Sequence, residues 1–184
     1  LTGMASSKLV RAGFFDRPTP EVARDMLGKW LCLKIEGGKN LRMRISETEA
    51  YDGPDDKACH AYRGKTPRNE VMFGPSGHWY VYLCYGMHWM LNVVVGPVGY
   101  PAAVLIRGCQ GVSGPGRLTK AFSVNRRHDR LKASRTSGLW IEDDGLALSK
   151  ADIETSPRIG IGYAGHEWVN KPYRFLWKPE SVSA

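Results

Sequence analysis

A carboxylate, a phenol and an imidazole lie within one short stretch of the chain. Period-two spacing in the sequence ISETEAY places Glu47, Glu49 and Tyr51, together with Ile45, on one face of a strand. A Gly-Pro turn then ends the strand, and His60 follows soon after. These are groups that proteins use in general acid–base chemistry. On this stretch alone, a solvated strand edge followed by a polar turn is the more common interpretation.

The positive charge of the chain is concentrated in one segment. The formal net charge is +8. Between Arg107 and Arg135, eight lysines and arginines face a single acid, Asp129, so this segment carries almost all of the excess. Such a segment favours a polyanion partner such as nucleic acid. A solvated basic surface without an evolved partner is the alternative.

Length and composition indicate one globular domain. The chain has 184 residues, of which 42% are hydrophobic and 24% charged, and these values are ordinary for a soluble protein. We expect the domain to span residues 4–184, with Met4 as the natural start. No apolar run reaches membrane-spanning length, and the N-terminus lacks the order of a signal peptide. We therefore expect an intracellular protein, in the cytoplasm or nucleoid of a bacterium or the nucleus of a eukaryote, without a membrane partner.

The cysteines indicate neither a metal site nor a disulfide framework. They are widely spaced, and no C-x-x-C pair occurs among them. We expect reduced thiols in the core of an intracellular protein, with no metal and no cofactor. A metal or disulfide role is the less favoured alternative. The four cysteines are Cys32, Cys59, Cys84 and Cys109.

A helix and a β-hairpin precede the acidic stretch and must position it. Thr19 is a favourable N-cap and Pro20 suits the first helical position. The sequence WLCLKI at 30–35 predicts a strand, and the glycine-rich residues 36–40 predict a hairpin turn. The returning strand is then 41–51, which carries the two carboxylates.

A second hairpin is predicted in the aromatic sequence of residues 78–95. Tyr80 and Tyr82 alternate with apolar residues on the first strand, and Tyr85, Gly86 and Met87 fall at or near the tip. A large ring at a hairpin tip is difficult to bury in its own domain. An exposed recognition or insertion element is one interpretation. A ring that folds back onto a neighbouring loop is the other.

The C-terminal half of the sequence contains shorter elements. Residues 102–106 predict a buried strand that ends at Arg107. A Gly-Pro-Gly turn then precedes a helix on which Arg117 and Lys120 point outward. The start of this helix is a candidate phosphate-binding site. Residues 139–142 predict a further strand, and residues 156–163 predict a strand with close backbone approach at its glycines.

Several blocks of sequence together resemble a known family. They are RISETEAY, DGPDDKACHAYRGKTPRN, WYVYLCYGMHWMLN, AAVLIRG, SGPGRLTKAF, RIGIGYAG and KPYRF, in this order. They closely resemble the alkyladenine (3-methyladenine) DNA glycosylase family, of the monofunctional type found in mammals and many bacteria. The resemblance extends from Phe14 to Phe175. We expect an α+β fold with a single mixed domain around a curved, open-barrel-like antiparallel β-sheet, a protruding hairpin and peripheral helices.

The resemblance implies a base-excision-repair enzyme that flips damaged purines from duplex DNA and hydrolyses the N-glycosidic bond. Glu49 is the implied general base, Arg107 helps to hold the attacking water and to keep Glu49 ionised, and the Ile161 carbonyl is a third ligand of that water. Glu47 has a supporting role. No lysine is placed as a nucleophile, so we expect no strand cleavage.

The resemblance also implies the residues that bind substrate and DNA. Tyr51 and Tyr82 sandwich the flipped base beside His60, and Asn92 excludes guanine; a polar residue at a strand end is the alternative for Asn92. Tyr85 fills the vacated stack. The expected DNA-contacting residues are Tyr85, Met87, Arg68, Arg117 and Lys120.

Two features depart from the family pattern. The connection between Arg107 and Gly114 is shorter than usual, and Tyr163 and His166 alter the usual order of the block around GYAG. We expect a monomer that acts on double-stranded DNA containing damaged purines. A non-catalytic nucleic-acid-binding module and a small-molecule hydrolase that recruits acidic substrates are the competing hypotheses.

Overall fold

The computed structural model describes residues 7–178. Within them, four short helices lie against ten strands of one curled antiparallel sheet, which confirms the expected α+β fold. The helices are α1 (Ala12–Phe15), α2 (Thr19–Asp25), α3 (Pro115–Ala121) and α4 (Gly165–Val169). The strands are β1 (Lys8–Leu9), β2 (Trp30–Leu33), β3 (Leu41–Asp52), β4 (Trp79–Cys84), β5 (His88–Val94), β6 (Ala102–Cys109), β7 (Val112–Ser113), β8 (Leu139–Asp143), β9 (Ile153–Ser156) and β10 (Arg174–Trp177).

Strand β3 is the central element of the sheet. Along the main path the strand order is β1-β8-β2-β3-β6-β5-β4, and β10 joins β3 to β9 beside this path. The first residues of β3 pair with β2 in the predicted hairpin. Its later residues lie between β6 and β10, where Glu49 is opposite Leu105 on one side and Arg174 on the other. The carboxylates therefore occupy the interior of the sheet and not an exposed edge.

A β-bulge changes which side chains share a face of β3. The register with β6 shifts between Ile45 and Thr48, and a bulge of this kind adds a residue on one strand. Ile45 is fully buried in the same hydrophobic cluster as Ala50, whereas Arg107 contacts both glutamates of β3. The prediction that Ile45 shares a face with Glu49 is therefore wrong, because strict alternation does not continue through a bulge.

Helix α2 begins in a different way from the prediction. Pro18 occupies the N-cap position and Thr19 is the first helical residue. The Thr19 hydroxyl donates to Asp52 Oδ1 at 2.7 Å and does not cap the helix. This bond ties α2 to the end of β3, and Thr48 adds a second tie by donating to the carbonyl of Ala23 at 2.7 Å.

Three other predicted boundaries are corrected by the structure. Strand β2 ends at Leu33, and β6 continues through Arg107 to Cys109, so Arg107 lies inside a strand. Residues 156–163 do not form a strand, since β9 ends at Ser156 and a 3-10 turn follows at Gly162–Ala164. Pro157 has no N–H to continue a strand ladder. The backbone between these elements instead crosses beside β3.

A buried ion pair fixes this crossing segment. The Arg158 and Asp56 side chains are both fully buried, and two Arg158 nitrogens donate to the two carboxylate oxygens at 2.5 and 2.9 Å. Arg158 also donates to the carbonyl of Ala50 at 2.8 Å. Asp56 in turn accepts from the backbone N–H groups of Asp52 and Ala58. One ion pair thus joins β3, the loop after it and residues 157–161.

We expect the substitution Asp56→Asn to lower the free energy of unfolding by about 3–5 kcal/mol, because it leaves the buried Arg158 guanidinium without its counter-charge. Urea denaturation at pH 7 measures the change. The control is Glu167→Gln, which removes an exposed carboxylate that pairs with Lys171 just beyond the end of α4 and should have little effect. Equal, small losses in both variants would contradict an anchoring role for Asp56.

Candidate active site

The Glu49 carboxylate is fully buried and both of its oxygens have protein partners. The Tyr51 hydroxyl donates to Oε2 at 2.8 Å, and the backbone N–H of Ile159 donates to Oε1 at 2.8 Å. Arg107 Nη1 lies 3.6 Å from Oε1. Three different segments of the chain therefore converge on one carboxylate, and Ile159 reaches it because Arg158 holds the crossing segment in place.

Opposing effects act on the pKa of Glu49. Burial is the largest and raises the pKa, because the charged form loses its hydration. The Arg107 charge and the hydrogen bonds from Ile159 and Tyr51 act in the opposite direction. The result is a carboxyl whose pKa is raised although its charged form has a cation and two donors. A carboxylate of this kind is a stronger base than one on the surface.

Glu47 braces the arginine that faces Glu49. Its Oε1 accepts from Arg107 Nε at 2.9 Å and from Arg174 Nε at 2.7 Å. With Nε engaged in this way, Arg107 presents Nη1 toward Glu49. These contacts agree with the supporting role expected for Glu47. The sequence did not single out Arg174, and only its position in the KPYRF block could have drawn attention to it.

An aromatic cavity lies beside the carboxylate. Its volume is about 10 Å³, which is close to the space that a single water molecule needs. A purine can therefore enter only if the surrounding rings move apart. The cavity brings together all four side chains predicted to contact a base. They are Tyr51, His60, Tyr82 and Asn92, and the remaining lining residues are Met72, Tyr80 and Ala103.

His60 is oriented by the tyrosines of strand β4. Its Nδ1 lies 2.8 Å from the Tyr80 hydroxyl, and its ring meets the Tyr82 ring edge-on at a centroid distance of 4.6 Å. His60 as a whole is exposed. Loss of hydration and, to a smaller extent, the Arg68 charge lower the pKa of His60. We infer that the imidazole is neutral near pH 7. The sequence did not identify Tyr80 as its partner.

Asn92 and Arg68 fix two walls of the cavity. Asn92 is buried opposite Tyr80 on β5, and its Nδ2 donates to the Tyr80 carbonyl at 3.1 Å. The Arg68 guanidinium lies 4.9 Å from the centroid of the Tyr82 ring, within the range of a cation–π contact. Arg68 therefore supports a cavity wall as well as lying on the exposed surface.

The tip of the second hairpin presents an exposed ring. Tyr85 is 90% exposed and Met87 is 71% exposed, so Tyr85 does not fold back onto a loop. Tyr85 and Gly86 have φ values of 51° and 68°, as in the two-residue turns that suit hairpin twist. A non-glycine residue in this conformation is disfavoured by roughly 1–2 kcal/mol. The tip therefore keeps Tyr85 exposed despite an unfavourable backbone conformation.

The basic segment contains exposed charges with and without an ion-pair partner in the described structure. Arg117 and Lys120 are exposed on α3, which packs against β5 of the hairpin. By contrast, Arg130 and Arg135 pair with Glu70 and Glu142. Arg117 and Lys120 form no ion pair in the described structure, and the same is true of the exposed Arg126, Arg127 and Lys132 of this segment. Phosphate binding at α3 stays a prediction.

Ile161 lies in the crossing segment near the catalytic candidates. It is buried against Tyr51, and its carbonyl accepts from the Ala164 N–H at 2.9 Å. A carbonyl oxygen has a second lone pair, so this bond leaves its predicted contact with water open. The structure shows Ile159, which the sequence did not single out, as the residue whose backbone contacts Glu49.

Several other features lie outside this site. Between residues 7 and 178, no group of three or more His, Cys, Asp and Glu side chains is arranged to hold a metal ion, and no helix could cross a membrane. All four cysteines are free thiols, although Cys84 is only half buried and so is not the core thiol expected. A cavity of about 800 Å³ lies against Phe14 and Leu148 and contains none of the candidate residues.

Comparison with known proteins places these residues in one family. The family model described as methylpurine-DNA glycosylase matches residues 13–113 and 110–181. A protein of Methanocella arvoryzae is 46% identical over 90% of each chain. A protein of Psychrobacter cryohalolentis is 40% identical over 96% of this chain and 95% of its own. Both relatives are named, by inference, as 3-methyladenine DNA glycosylases.

The buried charge of Glu49 predicts a pH-dependent effect on stability. Because its pKa is raised on folding from an ordinary 4.5, Glu49 supports the fold at low pH and loses this contribution as pH rises through the folded-state value. We therefore expect the free energy of unfolding of Glu49→Gln, relative to that of the original chain, to rise as pH rises from 4 to 7. Urea denaturation across this range measures the difference.

The control for the loss of one negative charge is Glu36→Gln, in the exposed turn between β2 and β3. If the stability of Glu49→Gln relative to the original chain falls as pH rises, and that of Glu36→Gln does not, then Arg107 and the two hydrogen bonds outweigh burial. That result would contradict a raised pKa.

Proposed function

Since this chain belongs to the methylpurine-DNA glycosylase family and is a DNA repair enzyme, we propose that it flips damaged purines out of duplex DNA and hydrolyses their N-glycosidic bonds. The observation that carries the proposal is the fully buried Glu49, which faces Arg107 beside a cavity lined by aromatic rings. A module that only binds DNA has no use for a buried carboxylate beside such a cavity.

The proposed reaction is attack by water on the anomeric carbon of the flipped nucleotide. Glu49 accepts a proton from the water as the new C–O bond forms, and the bonding electrons of the C–N bond leave with the purine. The negative charge of Glu49 also stabilises the cationic, oxocarbenium-like sugar. A positioned base of this type contributes about 10²–10⁴-fold to the rate. Arg107 and the Ile161 carbonyl are the proposed additional ligands of the water.

Extraction of the base from the duplex precedes this chemistry. Unstacking requires a few kcal/mol, and less for a damaged or mispaired base. The Tyr85 ring is the proposed occupant of the vacated position, with Met87 beside it. Stacking of the purine between Tyr51 and Tyr82 stabilises the flipped state by roughly 1–3 kcal/mol per contact. The same movement of the rings that admits the purine would release the Tyr51 hydroxyl from Glu49 and free one oxygen for water.

The proposed substrates are purines that are easily displaced. Cationic alkylated purines are already activated leaving groups, whereas neutral lesions need protonation within the cavity. A neutral His60 can offer a hydrogen bond to the base without adding a positive charge that would repel a cationic purine. Asn92 is the proposed residue that rejects the exocyclic amino group of guanine. Guanine would then be excluded by its shape and hydrogen bonding.

The chain is proposed to act as a monomer and without cleaving the DNA strand. A strand-cleaving glycosylase uses an amine that forms a Schiff base with the sugar. No lysine lines the aromatic cavity of the described chain or contacts Glu49. Hydrolysis by water is therefore the mechanism that these side chains support.

The substitution Glu49→Gln tests this function. We expect it to slow release of hypoxanthine or 3-methyladenine from duplex DNA by at least about 10²-fold, because the general base is lost, while DNA affinity is retained. Single-turnover base release and fluorescence anisotropy measure the two quantities. Glu36→Gln is the control. Release by Glu49→Gln at the original rate would refute the role of Glu49, and an original chain that binds DNA but releases no base would favour a binding module.

The Tyr51 hydroxyl is expected to set the acid limit of the reaction. Its hydrogen bond lowers the pKa of Glu49 in the free enzyme, so Tyr51→Phe raises that pKa and moves the acid limb of the kcat/KM profile, which reports the free enzyme, to higher pH while the ring remains. Tyr82→Phe is the matched control, because the Tyr82 hydroxyl makes no contact with Glu49 in the described structure. A limb that moves equally in both variants would contradict the assignment.

A further inference from the structure

A second cavity lies directly beside the aromatic cavity. It has a volume of about 260 Å³ and shares His60 as a common wall. Its other exposed lining residues are Lys57, Tyr62, Arg63 and Tyr163. The proposed function uses none of these four. Tyr163 belongs to the GYAG block, where the sequence departs from the usual family pattern.

The two tyrosines of this cavity expose their rings. Tyr163 is 71% exposed and Tyr62 is 44% exposed. Within residues 7–178, neither ring stacks on another aromatic ring. The Tyr163 hydroxyl makes one long contact, 3.4 Å, to the carbonyl of Ala58, and this contact holds the 162–164 turn near the loop that carries His60. Exposed aromatic faces at the rim of a DNA-repair site suit stacking with a nucleobase.

The two cations of the cavity are unpaired in the described part of the chain. Neither Lys57 nor Arg63 forms a salt bridge there, although Lys65 in the same loop pairs with Glu70 at 3.3 Å. Both side chains are exposed. Unpaired cations next to exposed aromatic faces are the combination that contacts the phosphate and base of one nucleotide.

We propose that this cavity binds the nucleotide adjacent to the flipped purine on the same strand. The proposal rests on the proposed function, because the shared wall at His60 is what makes the two cavities neighbours along a DNA strand. The adjacent base stacks on Tyr163, the more exposed of the two rings, and its phosphate contacts Lys57 and Arg63. The enzyme would then hold two consecutive nucleotides, one on each side of His60.

Equilibrium binding to matched duplexes tests this subsite. Each duplex contains one hypoxanthine, and in two of them the base on its 5′ or its 3′ side is replaced by an abasic tetrahydrofuran residue. We expect the original chain to lose about tenfold in affinity when one of these two neighbouring bases is removed. Tyr163→Ala should bind the intact duplex about tenfold more weakly, and removal of that same base should have no further effect.

Additional variants separate stacking from loop anchoring and from charge. Tyr163→Phe retains the ring and should bind like the original chain. Lys57→Ala and Arg63→Ala should each reduce the slope of log affinity against log salt by about 1, whereas Tyr163→Ala should leave the slope unchanged. Ile35→Ala, at the opposite end of β3, is the control for an exposed apolar side chain.

Two results would overturn the proposal. One is original affinity for Tyr163→Ala, and the other is an equal effect of that variant on the intact duplex and on both duplexes with a missing neighbour. Base release by the original chain is measured in parallel. A chain that releases hypoxanthine but shows no coupling between Tyr163 and a neighbouring base refutes the subsite alone, whereas failure to release any base refutes the proposed function.

Discussion

The structure of the site depends on burying the Glu49 carboxylate completely while surrounding it with groups that favour its charged form. Burial alone would favour the protonated acid. The counteracting groups come from three places, namely Arg107 on β6, the Tyr51 hydroxyl on β3 and the Ile159 N–H on the crossing segment. Each is held by further contacts. Glu47, which also accepts from Arg174, braces Arg107, and the buried pair of Arg158 and Asp56 holds the backbone that presents Ile159.

Several unfavourable features of the fold lie near this site, and a large hydrophobic core lies behind it. A fully buried carboxylate, a buried ion pair and a left-handed tyrosine at the hairpin tip each oppose folding. Behind them, the sheet packs on α2 and α3 through large buried side chains such as Trp79, Leu91 and Phe122. We interpret this division as a rigid hydrophobic scaffold that supports a strained, charged surface for DNA.

The nearly closed aromatic cavity is part of the same surface. Tyr51 lines the cavity, and its hydroxyl donates a hydrogen bond to Glu49. The ring that an entering purine would have to move is therefore the ring that is bonded to the carboxylate. Entry of a base and exposure of Glu49 to water are therefore linked by one side chain. This link would keep the carboxylate covered in the free protein.

Local patterns in the sequence predicted much of the fold but not the contacts around Glu49. Both hairpins followed from alternation and turn residues, because those signals act between neighbours in the chain. The helix start was wrong by one position, since the Thr19 hydroxyl bonds to Asp52. The bulge after Ile45 and the loop at 157–161 were missed because tertiary pairing decides them. Arg158, Asp56 and Arg174 could not be found from spacing, as their partners are distant in sequence, and the catalytic candidates came from motif resemblance.

A crystal structure of Glu49→Gln bound to a duplex with one hypoxanthine would test the central claim most directly. The account predicts a flipped base between Tyr51 and Tyr82, with its anomeric carbon facing the residue 49 side chain, Arg107 on the same side and Tyr85 in the vacated stack. A hypoxanthine that stays stacked in the duplex over a closed cavity would contradict the account. So would a flipped base whose anomeric carbon faces away from residue 49.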